Sequence, residues 1–227
     1  RGERSDVGVH YVPQPGGAPA NVAVGVARLG GHAGFAGQVG NDVFGQMIVR
    51  ALAGYGVDTS LLTMSDSALT ALAMVSLDDQ GERSFSFYRN ATADLLYRPD
   101  QLPDSALNGA RIFHLCSNTL TEPAIRKTSR VLVERAHRAG CLVSFDVNFR
   151  PGLWPAPEEA AEVIGQIARR ADIVKFSREE LEQLYGQQAG AVVEALQAQG
   201  VPLVLVSDGP DTLSARAGGQ HLQLDQP

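Results

Sequence analysis

Within Ser144-Phe145-Asp146-Val147-Asn148-Phe149-Arg150, a carboxylate, an amide and a guanidinium stand just past the end of an apolar, strand-forming run. Arg150 can there neutralise a transferring phosphoryl group or the carboxylate of a substrate. A salt-bridged strand terminus, with Asp146 simply holding Arg150, uses the same residues. Near the other end of the chain, Gly16-Gly17-Ala18-Pro19-Ala20-Asn21 precedes a small-residue apolar segment. Its glycines let a ligand approach the backbone while free N–H groups at a helix start face it. Asn21 offers both a donor and an acceptor, which suits a sugar hydroxyl. A tight turn with close helix packing is the competing account. Arg89, after Phe87-Tyr88, can hydrogen-bond a hydroxyl or a carboxylate, or can be a solvated arginine on a hairpin.

Elements must position these groups. Gly8 to Val12 reads as a short strand, stopped by Pro13-Gln14-Pro15-Gly16-Gly17. Ala18 to Leu29 is small and apolar on nearly every face, with Val22, Val26 and Leu29 on one stripe, and predicts an interior helix packed closely on a sheet. Ala71 to Leu77 and Ser84 to Tyr88 flank a turn in which Gly81 supplies a positive φ, a hairpin signal. From Arg111 the pattern alternates. Strands are expected at Ile112–Leu115, Leu142–Asp146, Ile173–Phe176 and Leu203–Ser207, with helices at Glu122–Ala139, Pro157–Arg170, Arg178–Tyr185 and Gly190–Gln199. Such alternation implies right-handed βαβ units and a mostly parallel sheet covered on both faces. Ligands of parallel sheets sit outside the carboxyl ends of the strands, which singles out Asp146 to Arg150, Ser177 to Glu180 and Ser207 to Asp211. Arg98-Pro99-Asp100-Gln101-Leu102-Pro103-Asp104 reads as the linker between the hairpin region and the main sheet.

With 227 residues, 44% of them hydrophobic and 19% charged, the chain can bury a real core. A net charge of −6 without any Lys/Arg block excludes a nucleic-acid surface and points to a small-molecule partner. Cys116 and Cys141 lie in apolar stretches without CxxC spacing, so two buried free thiols are expected rather than zinc or a disulfide. No apolar run is long enough to span a bilayer, and Arg1-Gly2-Glu3-Arg4-Ser5-Asp6 is unlike a signal peptide. A cytoplasmic location follows as the expectation.

The span Gly16-Gly17-Ala18-Pro19-Ala20-Asn21, then Ala27-Arg28-Leu29-Gly30, then Gly37-Gln38-Val39-Gly40-Asn41-Asp42-Val43-Phe44-Gly45 resembles the first signature of ribokinase-like, PfkB-type carbohydrate kinases. Ser144 to Trp154 is similar to the fructokinase and 2-keto-3-deoxygluconate kinase branch, and Phe87-Tyr88-Arg89 to that branch's lid motif. The resemblance implies a three-layer αβα fold with a mostly parallel central sheet and a small β lid, contributed here by about 6–15 and 69–98 of one kinase domain. It assigns Gly16, Gly17, Asn21, Arg89 and Arg150 to the sugar. Asn148, Lys175, Ser177, Ser207 and Gly209 fall to the nucleotide. Aligned through the trailing Leu184-Tyr185-Gly186, Glu180 takes the position of the family glutamate that organises the water shell of Mg²⁺, with Ser177 in place of the usual asparagine. A capping serine followed by a solvated acidic first turn describes Ser177 to Glu180 as well. Asp42 and the later glycines are read as structural turns. In Ser207-Asp208-Gly209-Pro210-Asp211-Thr212, Thr212 stands where the family has a second glycine, and an ordinary β-turn is the other account.

The family's Gly-Ala-Gly-Asp motif, which carries the anion hole and the base, does not occur in these residues. Nor does the first strand with its sugar-binding aspartate. The expectation is a sequence trimmed at both ends, inactive by itself, with no residue assigned as base and Arg150 in support. The complete enzyme is expected to use ATP and Mg²⁺, with room for a monovalent cation, and to pair as a homodimer through the lid, whose edge strands need cover. Fructose is the expected acceptor. 2-Keto-3-deoxygluconate kinase, aminoimidazole riboside kinase and a non-catalytic sugar-binding regulatory protein are the alternatives. A dinucleotide-binding oxidoreductase would need a GxGxxG turn after an opening strand, which is missing.

Overall fold

The structure, a computed structural model, describes residues 2–5, 8–77 and 83–225. The chain forms two compact units, Arg1–Tyr97 and Arg98–Pro227. The boundary falls at the start of the segment read as a linker.

In the first unit, β1 (Gly2–Ser5) and β2 (Gly8–Tyr11) form an antiparallel pair. Helix α1 (Ala18–Arg28) follows, with a proline in its first turn, where the missing N–H costs nothing. Strands β3 (Gly37–Gly40) and β4 (Leu62–Ser65) pair in parallel around α2 (Val43–Gly54), a small βαβ unit. Strands β5 (Leu72–Leu77) and β6 (Arg83–Tyr88) form the expected antiparallel hairpin, whose predicted turn at Gly81 lies outside the described residues. A 3-10 turn, Ala93–Leu96, ends the unit.

Its core gathers Ala20 and Ala23 of α1 with Leu52 and Val57, and Phe35, Ile48 and Leu62 pack around them. The stripe expected to be buried on α1 is therefore corrected. Val22 and Val26 are exposed and Leu29 is 90% exposed. On a helix made almost wholly of small apolar residues, periodicity does not mark a face. The alanines give the closer approach and take the inside.

Asp42 shows why the second half of the first signature has its spelling. It caps α2, accepting from the N–H groups of Phe44 at 3.0 Å and Gly45 at 2.8 Å. The same carboxylate accepts from the N–H and hydroxyl of Thr70, at 2.8 and 2.9 Å. Burial pushes its pKa up, but the hydrogen bonds from Thr70, Gly45 and Phe44 outweigh this and hold it below the usual value. Gly40 donates to the Thr70 hydroxyl at 3.0 Å. A Cβ on Gly40 would fall 2.6 Å from the Thr70 nitrogen, and one on Gly45 would strike the Gly40 carbonyl. The two glycines are required by close approach, and the motif is a structural lock.

The second unit is a six-stranded sheet ordered β12-β11-β10-β9-β8-β7. Strands β7 (Ile112–Cys116), β8 (Leu142–Asp146), β9 (Ile173–Ser177) and β10 (Leu203–Asp208) run parallel. Strands β11 (Thr212–Ala217) and β12 (Gln220–Asp225) extend it antiparallel. Helices α3 (Pro123–Arg138), α4 (Ala160–Ala168), α5 (Arg178–Tyr185) and α6 (Ala189–Ala198) connect the parallel strands. Since β7 to β10 are adjacent in chain order, right-handed crossovers carry these helices over one face. Leu115, Val143, Phe145, Val174, Phe176 and Val204 point to that face and are buried. The alternate residues, His114, Ser144, Asp146, Lys175, Ser177 and Ser207 among them, are half-buried on the other. Helix α4 is shorter than expected, because Pro157–Glu159 forms a 3-10 turn before it. No helix of the described residues is long and apolar enough to cross a membrane.

Candidate active site

The register of β7 to β10 brings the residues singled out in this half of the chain to one edge of the sheet. Asp146 lies beside Lys175 and Cys116, and Ser177 lies beside Ser207. Strands β7 and β8 end level with Lys175 and β9 and β10 run on past it, and the segments that follow all leave from the carboxyl edge, where parallel sheets bind ligands.

Asp146 does not hold Arg150, as the salt-bridge reading of that strand end had it. Its Oδ1 stands 3.2 Å from Lys175 Nζ, an ion pair that lacks hydrogen-bond geometry. The chain turns out of β8 through Asn148, whose φ of 37° is in the left-handed region that an asparagine tolerates better than most residues. Its carbonyl accepts from the Ser117 hydroxyl at 3.4 Å. Arg150 then folds back, donating to the Phe149 carbonyl at 2.9 Å and standing 3.8 Å from Glu180 Oε1, while its side chain stays 46% exposed. A guanidinium anchored on one side and open on the other suits a mobile anionic group.

Glu180 is the best-held acid of the edge. The Ser177 hydroxyl accepts from the Glu180 N–H at 3.1 Å, and Glu180 Oε2 accepts from the Ser177 N–H at 2.8 Å, a reciprocal capping box. Glu180 Oε1 accepts from the Phe149 N–H at 3.1 Å and so ties the loop after β8 to the start of α5. Of the competing account the capping serine is present and Glu179 is exposed, but Glu180 is not solvated, since it is only 5% exposed. Ser207 is the last but one residue of β10, and Gly209 takes a φ of 50° in the turn that leads to β11. Thr212 pairs across that turn with Asp208, so where the family has a second glycine this chain has a strand residue.

Sequence reasoning missed His114 and Ser144, which face the same side of the sheet. His114 Nδ1 and Ser144 Oγ are 3.0 Å apart, and His114 Nε2 has no hydrogen-bond partner among the described residues. Burial lowers the His114 pKa, partly opposed by the negative charge of Asp146. The alternation Ile112-Phe113-His114-Leu115-Cys116 carried the signal, since it sets His114 opposite in sense to Leu115.

In the first unit, Gly17 has a φ of 118° and starts α1 without a side-chain cap. Its carbonyl accepts from the Asn21 N–H at 2.9 Å, and Asn21 is exposed beside it. Gly16 has open space where a Cβ would stand. Arg89 is not the solvated arginine of the competing account. Its side chain is 13% exposed and its Nε donates to Asp94 Oδ2 at 2.7 Å. Asp94 is a second residue the sequence reading passed over.

Residues 1–227 match the family described as pfkB family carbohydrate kinase. The chain is 47% identical over 172 residues to "Probable fructokinase-3" of Arabidopsis thaliana, covering 76% of this chain and 50% of that protein. The crystal structure of fructokinase from Xylella fastidiosa superposes with a TM-score of 0.91 at 41% identity, covering 97% of this chain and 69% of the other. Fructokinase from Vibrio cholerae O395 in its fructose, ADP and calcium ion bound form gives a TM-score of 0.87 at 34% identity, over 95% and 70% of the two chains. The chain spans about half the length of the curated relatives it matches. A ribokinase-like α/β fold, a signature whose Gly40, Asp42 and Gly45 are explained by packing, and a match along its whole length place this chain in the pfkB family of carbohydrate kinases.

Proposed function

We propose that the protein to which this chain belongs is an ATP-dependent fructokinase. One observation carries the reading: in a pfkB family chain, Asn148, Arg150, Lys175, Ser177 and Ser207 gather at the carboxyl edge of one sheet, with both cations already anchored by carboxylates. Phosphoryl transfer asks a protein mainly for positioning and for charge placed in advance. Arg150 supplies charge where the γ-phosphoryl moves, Lys175 and Asn148 serve the nucleotide, and Gly16, Gly17, Asn21 and Arg89 serve the sugar hydroxyls. No residue here is assigned as the proton acceptor. The choice of fructose is supported by relatives that bear the name fructokinase, one of them holding fructose and ADP.

Mg²⁺, when bound with ATP, neutralises charge on the phosphates. Among the described residues no three His, Cys, Asp or Glu side chains gather to hold a metal directly. Each Glu180 oxygen already accepts one backbone N–H. Its remaining lone pairs fit a contact made through water. In this reading β1–β2 and β5–β6 serve as the lid, which excludes water from the reaction, and pair the protein into a dimer in the cytoplasm.

The test is ADP release by the full-length protein with ATP and Mg²⁺, offered fructose, 2-keto-3-deoxygluconate and aminoimidazole riboside in parallel. Turnover of fructose with the highest kcat/KM is the expected result. Preference for either other acceptor would overturn the substrate, and binding of fructose without turnover would overturn the kinase reading. Arg150→Ala is expected to lower kcat by about 10²-fold, the scale of losing one preorganised charge.

A further inference from the structure

We propose that Asp94 is a positioning residue for Arg89, fixing the guanidinium that meets the sugar. The inference rests on the assignment of Arg89 to the substrate.

A free arginine side chain samples many rotamers, and ordering it on binding weakens affinity. Arg89 is held beforehand. Its Nε donates to Asp94 Oδ2 at 2.7 Å, which sets the plane of the guanidinium, while the Thr92 hydroxyl donates to Asp94 Oδ1 at 2.6 Å and sets the plane of the carboxylate. Both oxygens of Asp94 are thus engaged in orienting contacts.

The backbone that brings positions 89 and 94 together is strained. Ala91 has a φ of 50°, a region that a residue with a Cβ rarely enters, and such strain persists where the surroundings impose it. Those surroundings are present. Thr92 and Ala93 are buried, and the Ala93 N–H donates to the Leu69 carbonyl at 2.9 Å. Leu69 adjoins Thr70, which is itself bonded to Asp42 at the start of α2. The arginine is thereby referred, through Asp94, Ala93 and Thr70, to the core of its own unit. An ion pair serving stability alone would need neither the turn at Ala91 nor the oriented Thr92 hydroxyl.

The experiment is steady-state kinetics of the full-length protein with fructose and ATP varied separately, for Arg89→Ala, Asp94→Ala, Asp94→Asn and the Arg89→Ala/Asp94→Ala double variant. Asp94→Ala is expected to raise the KM for fructose about ten-fold, with kcat and the KM for ATP within about two-fold of the parent. Asp94→Asn is expected between Asp94→Ala and the parent, because its amide oxygen can still accept one of the two bonds. The double variant should be no worse than Arg89→Ala, since Asp94 acts through the arginine. A fructose KM unchanged in both Asp94 variants while Arg89→Ala raises it overturns the proposal and leaves the assignment of Arg89 standing. An unchanged KM in Arg89→Ala overturns that assignment and the proposal together. Should Asp94→Ala fail to fold, Asp94→Asn with an unaltered Tm carries the same comparison.

Discussion

Asp42 accepts four hydrogen bonds on one carboxylate, and Asp42→Ala removes a helix cap and both ties to Thr70. A loss of about 3 kcal/mol is expected in urea unfolding, from a cap worth roughly 1 kcal/mol and bonds to a charged group. The pH dependence follows from the lowered pKa. The folded form gives up the proton more readily than the unfolded form, whose value is 3.8. Stability from Asp42 is therefore complete above 3.8 and disappears as pH falls through the lower folded value. The parent should lose stability in that acid range, and Asp42→Ala should show a shallower slope there. The sequence made Asp42 legible as structural, because an aspartate ahead of an apolar run is a cap by type. Arg150 and Glu180 were legible as a guanidinium and an acid past strand ends, but their partners were not. Which acid faces Arg150 depends on the loop after β8 meeting the start of α5, a contact between residues thirty apart that no local pattern records.

The alternation from β7 to β10 was readable because each strand is a continuous apolar run and each helix has a periodic stripe. Elements without that contrast escaped. Strands β3 and β4 have four residues each, and β3 spells Gly37-Gln38-Val39-Gly40, too short and too rich in glycine to show alternation. In β11 and β12 the polar side chains outnumber the signal, although Leu213, Ala215, Leu222 and Leu224 share one face. The segment read as a linker is fastened along its length. Arg135 of α3 donates to Asp104 at 2.7 Å, to the Pro99 carbonyl at 2.6 Å and to the Leu102 carbonyl at 2.5 Å. One arginine thereby satisfies two backbone carbonyls that a flexible linker would leave to water. Arg135→Ala is expected to speed amide hydrogen exchange across residues 99–107 by about ten-fold or more while β8 and β9 keep their protection.

Over the whole molecule, neither Cys116 nor Cys141 is in a disulfide and both are buried, as their apolar surroundings suggest. Cys141 also donates to the Ala110 carbonyl at 3.2 Å. A thiol-specific reagent is expected to label neither in the native protein and both in guanidinium chloride, so labelling reports opening of the sheet unit. Rapid native labelling would contradict the burial of Cys116 and Cys141 in solution. The order of the sheet has a consequence for synthesis. Each of β8 to β10 pairs with the strand made just before it, and β11 and β12 continue the series. A chain emerging from the ribosome can therefore add one strand at a time to an existing template, each parallel strand following its neighbour after a single helical crossover. At every stage the nascent sheet offers one growing edge, and the segment next released from the exit tunnel is the one that fills it.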